Sequence, residues 1–147
     1  MANGERTDTS PAVREPAIAG GSPEVLVEQG FDEDSLYGVR ATVAAHVSTV
    51  ANARTVDTMV LIAHELASNS VRHGGGTGRL RLRLADGLLH CEVSDAGTGL
   101  DDPAQAGHTL PAPSLPGGRG LWIARQLSEL SIVTSPAGTT ITATVPL

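Results

Sequence analysis

Three polar side chains fall at helical spacing between residues 64 and 73. Glu65 and Asn69 are four residues apart, and Arg72 follows three residues later. In a helix this spacing places them on the same side, just beside an apolar stripe. A carboxylate, an amide and a guanidinium grouped in this way suit a site for a metal-bound anion. For this helix considered alone, an ordinary solvated face is the simpler interpretation.

A second group of residues follows a predicted strand. Asp95 is followed by Gly97 and Gly99, two glycines separated by one residue. Glycines at this spacing let the backbone approach a flat ligand closely, and an aspartate at a strand end can accept a hydrogen bond from an exocyclic amine such as that of adenine. Because Asp and Gly are also common turn residues, the segment alone is typical of a turn as well.

Glycines also surround the start of the predicted third helix, at residues 117–121. The free N–H groups at a helix N-terminus bind phosphate, and glycines let the chain come close to it. A glycine-rich loop without a ligand is the alternative here. A last candidate, Gly138 followed by Thr139 and Thr140, enters the final strand and is weak by itself.

Hydrophobic periodicity predicts three helices that would position these residues. The first begins near Asp32, has acidic residues in its first turn where the helix dipole favours them, and fades near Asn52. The second runs over residues 56–71 and is closed by glycines 74–76, and the third runs over about 119–129. The core face of the second helix is a stripe at spacings of three and four: Met59, Ile62, Ala63, Leu66, Ala67 and Ser70.

Alternating residues predict the strands. Over residues 79–84 the leucines share one face and the arginines the other, which we interpret as solvated, with a partner-docking stripe as the alternative. Asp86 and Gly87 form the turn into a partner strand, and the order of elements predicts an α/β (α+β) two-layer sandwich, a mixed, largely antiparallel sheet with helices packed on one face. The other predicted strands cover residues 24–28, 88–94, 131–134 and 139–145.

We expect one domain over residues 24–147. Residues 1–23 mix Ala, Gly, Pro, Ser and Thr without periodicity, which predicts a flexible leader. Residues 95–118 are rich in Gly, Pro and Asp, and structureless segments of this length are usually lids or binding loops.

Composition excludes several classes of function. All ten basic residues are arginine, so the chain lacks the lysine that a P-loop, a eukaryotic-type protein kinase or a Schiff-base enzyme needs. The net charge of −6 disfavours direct nucleic-acid binding. No apolar run approaches the roughly 20 residues that span a bilayer. The single cysteine, Cys91, fits a reducing cytoplasm and lies on an apolar strand face, which predicts a buried side chain rather than a reactive thiol.

Taken together and in this order, the motifs resemble the GHKL, or Bergerat-fold, ATP-binding superfamily. Glu65 and Asn69 resemble its N box, Asp95, Gly97 and Gly99 its G1 box, and residues 118–121 its G2 box. The resemblance covers about residues 25–147. It implies that the anionic tail of ATP is neutralised without lysine, by Mg²⁺, helix-terminal N–H groups and arginine.

The resemblance also implies a role for each matching residue. Glu65 would act as general base, and Asn69 would coordinate the Mg²⁺ that bridges the nucleotide's phosphates. Asp95 would accept from the adenine amino group, supported by Thr139, for which Thr140 is the alternative equivalent. The lid would cover about residues 100–117. The other nucleotide-binding residues implied are Gly97 and Gly99 for the pocket, Arg72 for a phosphate, and Gly118, Arg119, Gly120 and Leu121 for the phosphates through their backbone N–H groups.

Among the relatives, a domain of this size with Ser-Val-Arg-His after Asn69 most resembles the anti-sigma-factor serine/threonine kinases of bacteria. No topoisomerase transducer domain or histidine-kinase dimerisation helices are expected. The resemblance implies a cytoplasmic homodimer that binds Mg-ATP, sequesters a sigma factor and phosphorylates a Ser or Thr of an anti-anti-sigma antagonist. It implies no direct contact with nucleic acid or membrane. The alternatives are a nucleotide-binding module that sequesters a partner without transfer, and an ATP-free scaffold.

Overall fold

The computed structural model describes residues 6–7, 24–97 and 119–147 as three helices packed against a six-stranded sheet. The strands follow the spatial order β1-β5-β6-β4-β3-β2, and every pair of neighbours in the described sheet is antiparallel. The predicted α+β sandwich is therefore confirmed. In chain order the elements are β1 (Arg6–Thr7), β2 (Glu24–Asp32), α1 (Leu36–Val47), α2 (Ala53–His73), β3 (Thr77–Ala85), β4 (Leu88–Asp95), α3 (Arg119–Leu127), β5 (Glu129–Ser135) and β6 (Gly138–Pro146).

The core between the helices and the sheet is almost wholly aliphatic. The predicted stripe of α2 is buried along its full length, from Met59 to Ser70, and packs against the inward leucines of β3 and β4. Cys91 belongs to this core and is fully buried, and burial raises the pKa of its thiol to about 12. The prediction that the Cys91 side chain is buried is confirmed.

The other face of the sheet is polar. Arg79 forms an ion pair with Glu28 across β2 and β3, with Nε and Oε2 3.2 Å apart. Arg81 pairs with Glu92 across β3 and β4, with Nη2 and Oε1 2.8 Å apart. These part-exposed pairs add little stability, about 0–1 kcal/mol each. Arg79 and Arg81 are thus exposed or part-exposed as predicted, whereas the Nε of Arg83 is buried.

The start of α1 corrects one prediction. The helix begins at Leu36, after β2 has continued to Asp32, so its first turn contains no acidic residue. The reason is a reciprocal pair of hydrogen bonds: Ser35 N–H donates to Asp32 Oδ1, and Asp32 N–H donates to Ser35 Oγ, each at 2.9 Å. These bonds hold Asp32 in the turn before the helix, and the bonds from Ser35 lower the pKa of its carboxyl group.

Several other boundaries shift by a few residues. Helix α2 starts at Ala53 rather than Val56, because the side chain of Asn52 caps it by accepting from Thr55 N–H at 2.9 Å. Helix α3 ends at Leu127, and β5 begins at Glu129, two residues before the predicted start. The hairpin turn at Asp86 and Gly87 is as predicted, with both residues at positive φ.

The structure contains one short strand that the sequence did not predict. Arg6–Thr7, inside the predicted leader, pair with Thr134 and Val133 at the edge of the sheet. The rest of the leader, residues 1–5 and 8–23, and the predicted lid at about 100–117 lie outside the described residues. None of the described helices is long and apolar enough to cross a membrane.

Candidate functional site

The N-box residues occupy the middle and the C-terminal half of α2. Glu65 and Asn69 are half-buried beside the core stripe, and Arg72, one turn further on, is exposed. Within the part of the chain that the structure describes, neither the Glu65 carboxylate nor the Asn69 amide has a side-chain hydrogen-bond partner. Among the described residues, nothing therefore occupies the acceptors of the carboxylate or the donors and acceptor of the amide.

Asp95 lies at the end of β4, where the C-terminal end of α2 meets the sheet. Its Oδ1 accepts a hydrogen bond from Gly97 N–H at 2.9 Å. Its Oδ2 accepts one from the buried Ser70 hydroxyl of α2 at 3.4 Å. These contacts bring the predicted N box and G1 box together, although 25 residues separate Ser70 from Asp95.

Gly74 and Gly97 let the two segments approach this closely. A Cβ atom on Gly74 would overlap the Asp95 carboxylate, and a Cβ on Gly97 would lie 2.7 Å from the Gly74 Cα. The sequence assigned Gly74 only to the end of the helix. Nothing in its local pattern indicated that a carboxylate far along the chain would pack against it.

Thr139 stands opposite Asp95 in the pairing of β4 with β6. Thr139 is buried, and its Oγ1 lies 2.9 Å from Oγ1 of the buried Thr134. Thr140 pairs with Ser94, and since side chains alternate along a strand it faces the opposite, open side of the sheet. The geometry therefore favours Thr139 over Thr140 as the neighbour of Asp95. Gly138 adds a close approach that sequence did not indicate, since a Cβ there would overlap the Asp95 carbonyl oxygen.

The G2 segment meets α2 at Glu65. Arg119 is the first residue of α3 and is exposed, Gly120 is half-buried, and Leu121 is packed into the core. A Cβ on Gly120 would lie 2.6 Å from Glu65 Oε1 and 3.3 Å from Glu65 Cβ. The first turn of α3 thus lies directly against the predicted general base. Gly99 and Gly118 lie outside the described residues, so their predicted roles stay predictions.

The donor set beside Asn69 fits Mg²⁺ bound through a nucleotide. The described residues contain no cluster of three or more His, Cys, Asp or Glu side chains that would hold a metal by themselves. Magnesium commonly takes only one or two protein oxygens and completes its shell with water and phosphate. One amide oxygen from Asn69, with the Glu65 carboxylate a turn away, matches that requirement.

A groove that sequence analysis missed lies between the start of α1 and the outer side of α2. It encloses about 450 Å³. Tyr37 is 73% exposed, and its ring stacks on that of His64 with centroids 5.9 Å apart. Arg72, the predicted phosphate-binding cation, lines this groove. The position of Tyr37 off the apolar stripe of α1 was the available signal. The groove is lined by Glu33, Leu36, Tyr37, His64, Ser68, Val71, Arg72 and Gly76.

The antiparallel sheet, the helices on one face and the meeting of three motifs define an ATP-binding domain of the histidine-kinase-like type. The family model for the histidine kinase-like ATPase domain matches residues 31–145, most of the chain. The chain belongs to this family, and the recognition made from its motifs is confirmed.

Solved structures carry the same fold. The histidine kinase domain of the blue-light activated histidine kinase of Erythrobacter litoralis EL346 superposes with a TM-score of 0.51 at 25% sequence identity. The match covers 63% of this chain and 48% of that one, so the chain corresponds to about half of the solved domain. The comparison with curated protein sequences gave no match.

Proposed function

We propose that this domain binds Mg-ATP, transfers the γ-phosphoryl group of ATP to a serine or threonine of an antagonist protein of the anti-anti-sigma type, and itself sequesters a sigma factor. The family assignment supports ATP binding and kinase-like chemistry. The choice of acceptor and partners rests on the sequence resemblance to anti-sigma-factor kinases. The protein would act in the cytoplasm as a homodimer.

The observation that carries the proposal is the placement of Glu65. Its carboxylate lies against Gly120 in the first turn of α3, a turn of α2 away from Asn69. The N–H groups of a helix start attract phosphate, so a γ-phosphate held there would lie close to a free carboxylate. An acceptor hydroxyl placed between them would lose its proton to Glu65.

The transfer is a displacement at phosphorus. The acceptor hydroxyl oxygen bonds to the γ-phosphorus, the bond from that phosphorus to the β–γ bridging oxygen breaks, and ADP leaves with the electron pair. Glu65 would receive the hydroxyl proton. Mg²⁺, when bound through Asn69, would offset the negative charge of the phosphates.

Nucleotide recognition would be divided among the remaining residues. Asp95 would accept from the adenine amino group with Thr139 beside it, and Gly97 and Gly99 would shape the pocket. The N–H groups of residues 118–121 would hold the phosphates, with Arg72 supplying a cation at the rim.

Labelling tests the proposal. Proteins captured by the chain from its native cells are identified by mass spectrometry, purified and incubated with the chain, Mg²⁺ and ATP labelled at the γ-phosphate. We expect labelled phosphoserine or phosphothreonine on one captured protein, and none when Glu65→Gln replaces the wild type. A captured partner that binds but never becomes labelled would contradict transfer.

Partner sequestration without transfer is the second candidate, and the groove between α1 and α2 favours it. A largely exposed tyrosine in a chain with one Phe, one Tyr and one Trp is an unusual use of an aromatic side chain. Exposed aromatic side chains are enriched at protein interfaces. Under this function Tyr37→Ala would weaken partner capture without changing nucleotide affinity, and no partner would be phosphorylated.

A further inference from the structure

The Asp95 carboxylate is held by α2 as well as by its own loop. Ser70 and Gly74 are four residues apart, and Gly74 N–H donates to Ser70 O at 2.7 Å in the last turn of the helix. They therefore face the same side of the helix end. Ser70 Oγ donates to Asp95 Oδ2, and the Gly74 Cα lies where any larger residue would meet that carboxylate.

Gly74 differs from the two glycines that follow it. Gly75 and Gly76 have φ values of +92° and +90°, and a Cβ at either would meet nothing within 4 Å, so their backbone conformation explains them. Gly74 has a φ of −109°, which any residue adopts, and it is buried. Only the space taken by Asp95 accounts for a glycine at this position.

The hydrogen bonds fix which lone pairs of Asp95 remain for a ligand. A carboxylate offers about four acceptor sites. Gly97 N–H occupies one on Oδ1, and Ser70 Oγ occupies one on Oδ2. Since the Ser70 hydroxyl already donates to Asp95, it has no proton to offer a purine oxygen. The 6-oxo group of a purine would thus face the acceptor oxygens of Asp95, whereas a 6-amino group would meet its complement.

We propose that Ser70 and Gly74 are positioning residues that orient the Asp95 carboxylate and so set the selectivity of the site for 6-aminopurine nucleotides. This inference rests on the nucleotide site proposed above. It assigns to the end of α2 a part in recognition that the N-box pattern does not include.

Selectivity between nucleotides tests the proposal, because a merely structural role would weaken all nucleotides alike. Affinities are measured by calorimetry for ADP, for purine riboside 5′-diphosphate, which lacks the amine, and for inosine 5′-diphosphate. In the wild type we expect ADP to be preferred over the purine analogue by about tenfold to a hundredfold, the range for one hydrogen bond to a charged group. Gly74→Ala should reduce this preference at least fivefold, since a Cβ displaces the carboxylate, while affinity for the purine analogue changes little.

Ser70→Ala removes the hydroxyl without adding volume and should reduce the preference about threefold, since its bond to Asp95 is long. Two matched controls should leave the preference unchanged. Gly38→Ala adds a Cβ in α1 where nothing lies within 4 Å. Ser128→Ala removes a hydroxyl that donates to the Ala124 carbonyl, at 2.7 Å.

Each outcome decides the matter. An unchanged preference in both Gly74→Ala and Ser70→Ala, or an equal loss for all three nucleotides, would overturn the positioning role and leave the nucleotide site standing. Should Gly74→Ala not fold, the Ser70→Ala ratio decides alone. A wild type that binds nucleotides without preferring ADP would overturn the proposal that Asp95 recognises the 6-amino group of the purine. A wild type that binds none of the three would remove the proposed function, and the inference with it.

Discussion

The two carboxylates along α2 are held in different ways. Asp95, at the end of β4 beside the C-terminal end of α2, accepts hydrogen bonds from Gly97 N–H and the Ser70 hydroxyl. The Glu65 carboxylate, in the middle of the helix, has no hydrogen bond within the described ranges, and Gly120 only leaves room for it. A group that recognises a ligand gains from being fixed beforehand, whereas a group that must accept a proton needs free lone pairs. The contrast matches the roles proposed for them.

The largest effect should follow from Glu65→Gln. The amide cannot take a proton from an acceptor hydroxyl, so phosphoryl transfer should fall by roughly 10²–10⁴-fold. Nucleotide affinity should stay the same, because Glu65 is not assigned to nucleotide binding. Single-turnover transfer and calorimetry measure the two quantities. Glu129→Gln, an exposed glutamate on β5, is the control. Equal transfer rates in Glu65→Gln and wild type would mean that the unbonded carboxylate is not the base.

Asp95→Asn should act on binding instead. An amide can present an N–H group where the adenine amine needs an acceptor, so affinity for ADP should fall by about tenfold to a hundredfold. Asp86→Asn, in an exposed turn at a φ of 52° that asparagine tolerates, should bind as the wild type does. Wild-type affinity in Asp95→Asn would remove the distinction between the two carboxylates.

Gly120→Ala tests whether the room that Gly120 leaves for the Glu65 carboxylate matters for transfer. The added Cβ would lie 2.6 Å from Glu65 Oε1, so the carboxylate must rotate away from the first turn of α3. We expect transfer to fall about tenfold, less than the hundredfold that a rigid misplacement can cost, because a glutamate side chain can adjust. The double variant with Glu65→Gln should be no worse than Glu65→Gln alone. Additive losses would show that Gly120 acts independently of Glu65.

Sequence alone predicted the parts of this molecule that depend on local periodicity. The buried stripe of α2, the alternating leucines of β3 and the turn at Asp86 and Gly87 were all predicted correctly, since each follows from the spacing of side chains. The ordered motifs also indicated the family. The start of α1 was wrong because the same acidic residues suit both a helical first turn and the turn in which Ser35 holds Asp32.

The contacts that hold the candidate site could not be predicted in this way. Gly74 and Asp95 meet only because β4 ends beside the C-terminus of α2, and Gly120 and Glu65 meet because α3 packs across it. A run of glycines after a helix is expected in any sequence as a stop signal, so the separate role of Gly74 as clearance for Asp95 leaves no local trace. The groove at Tyr37 is likewise formed by two helices whose packing is not encoded in either one.

The smallest effect on nucleotide preference should come from a substitution at the N-terminal end of α2. This substitution distinguishes local positioning of Asp95 from the stability of the helix. Asn52→Ala removes the cap on Thr55 N–H and should lower the free energy of unfolding by about 1 kcal/mol. For a domain of this size that corresponds to a fall in Tm of roughly 3 °C in thermal unfolding. The preference for ADP over its purine analogue should not change, because Asp95 and its partners lie at the other end of the helix. A loss of preference in Asn52→Ala would mean that recognition depends on the stability of α2 as a whole. The local contacts of Asp95 would then not be the reason that it differs from Glu65.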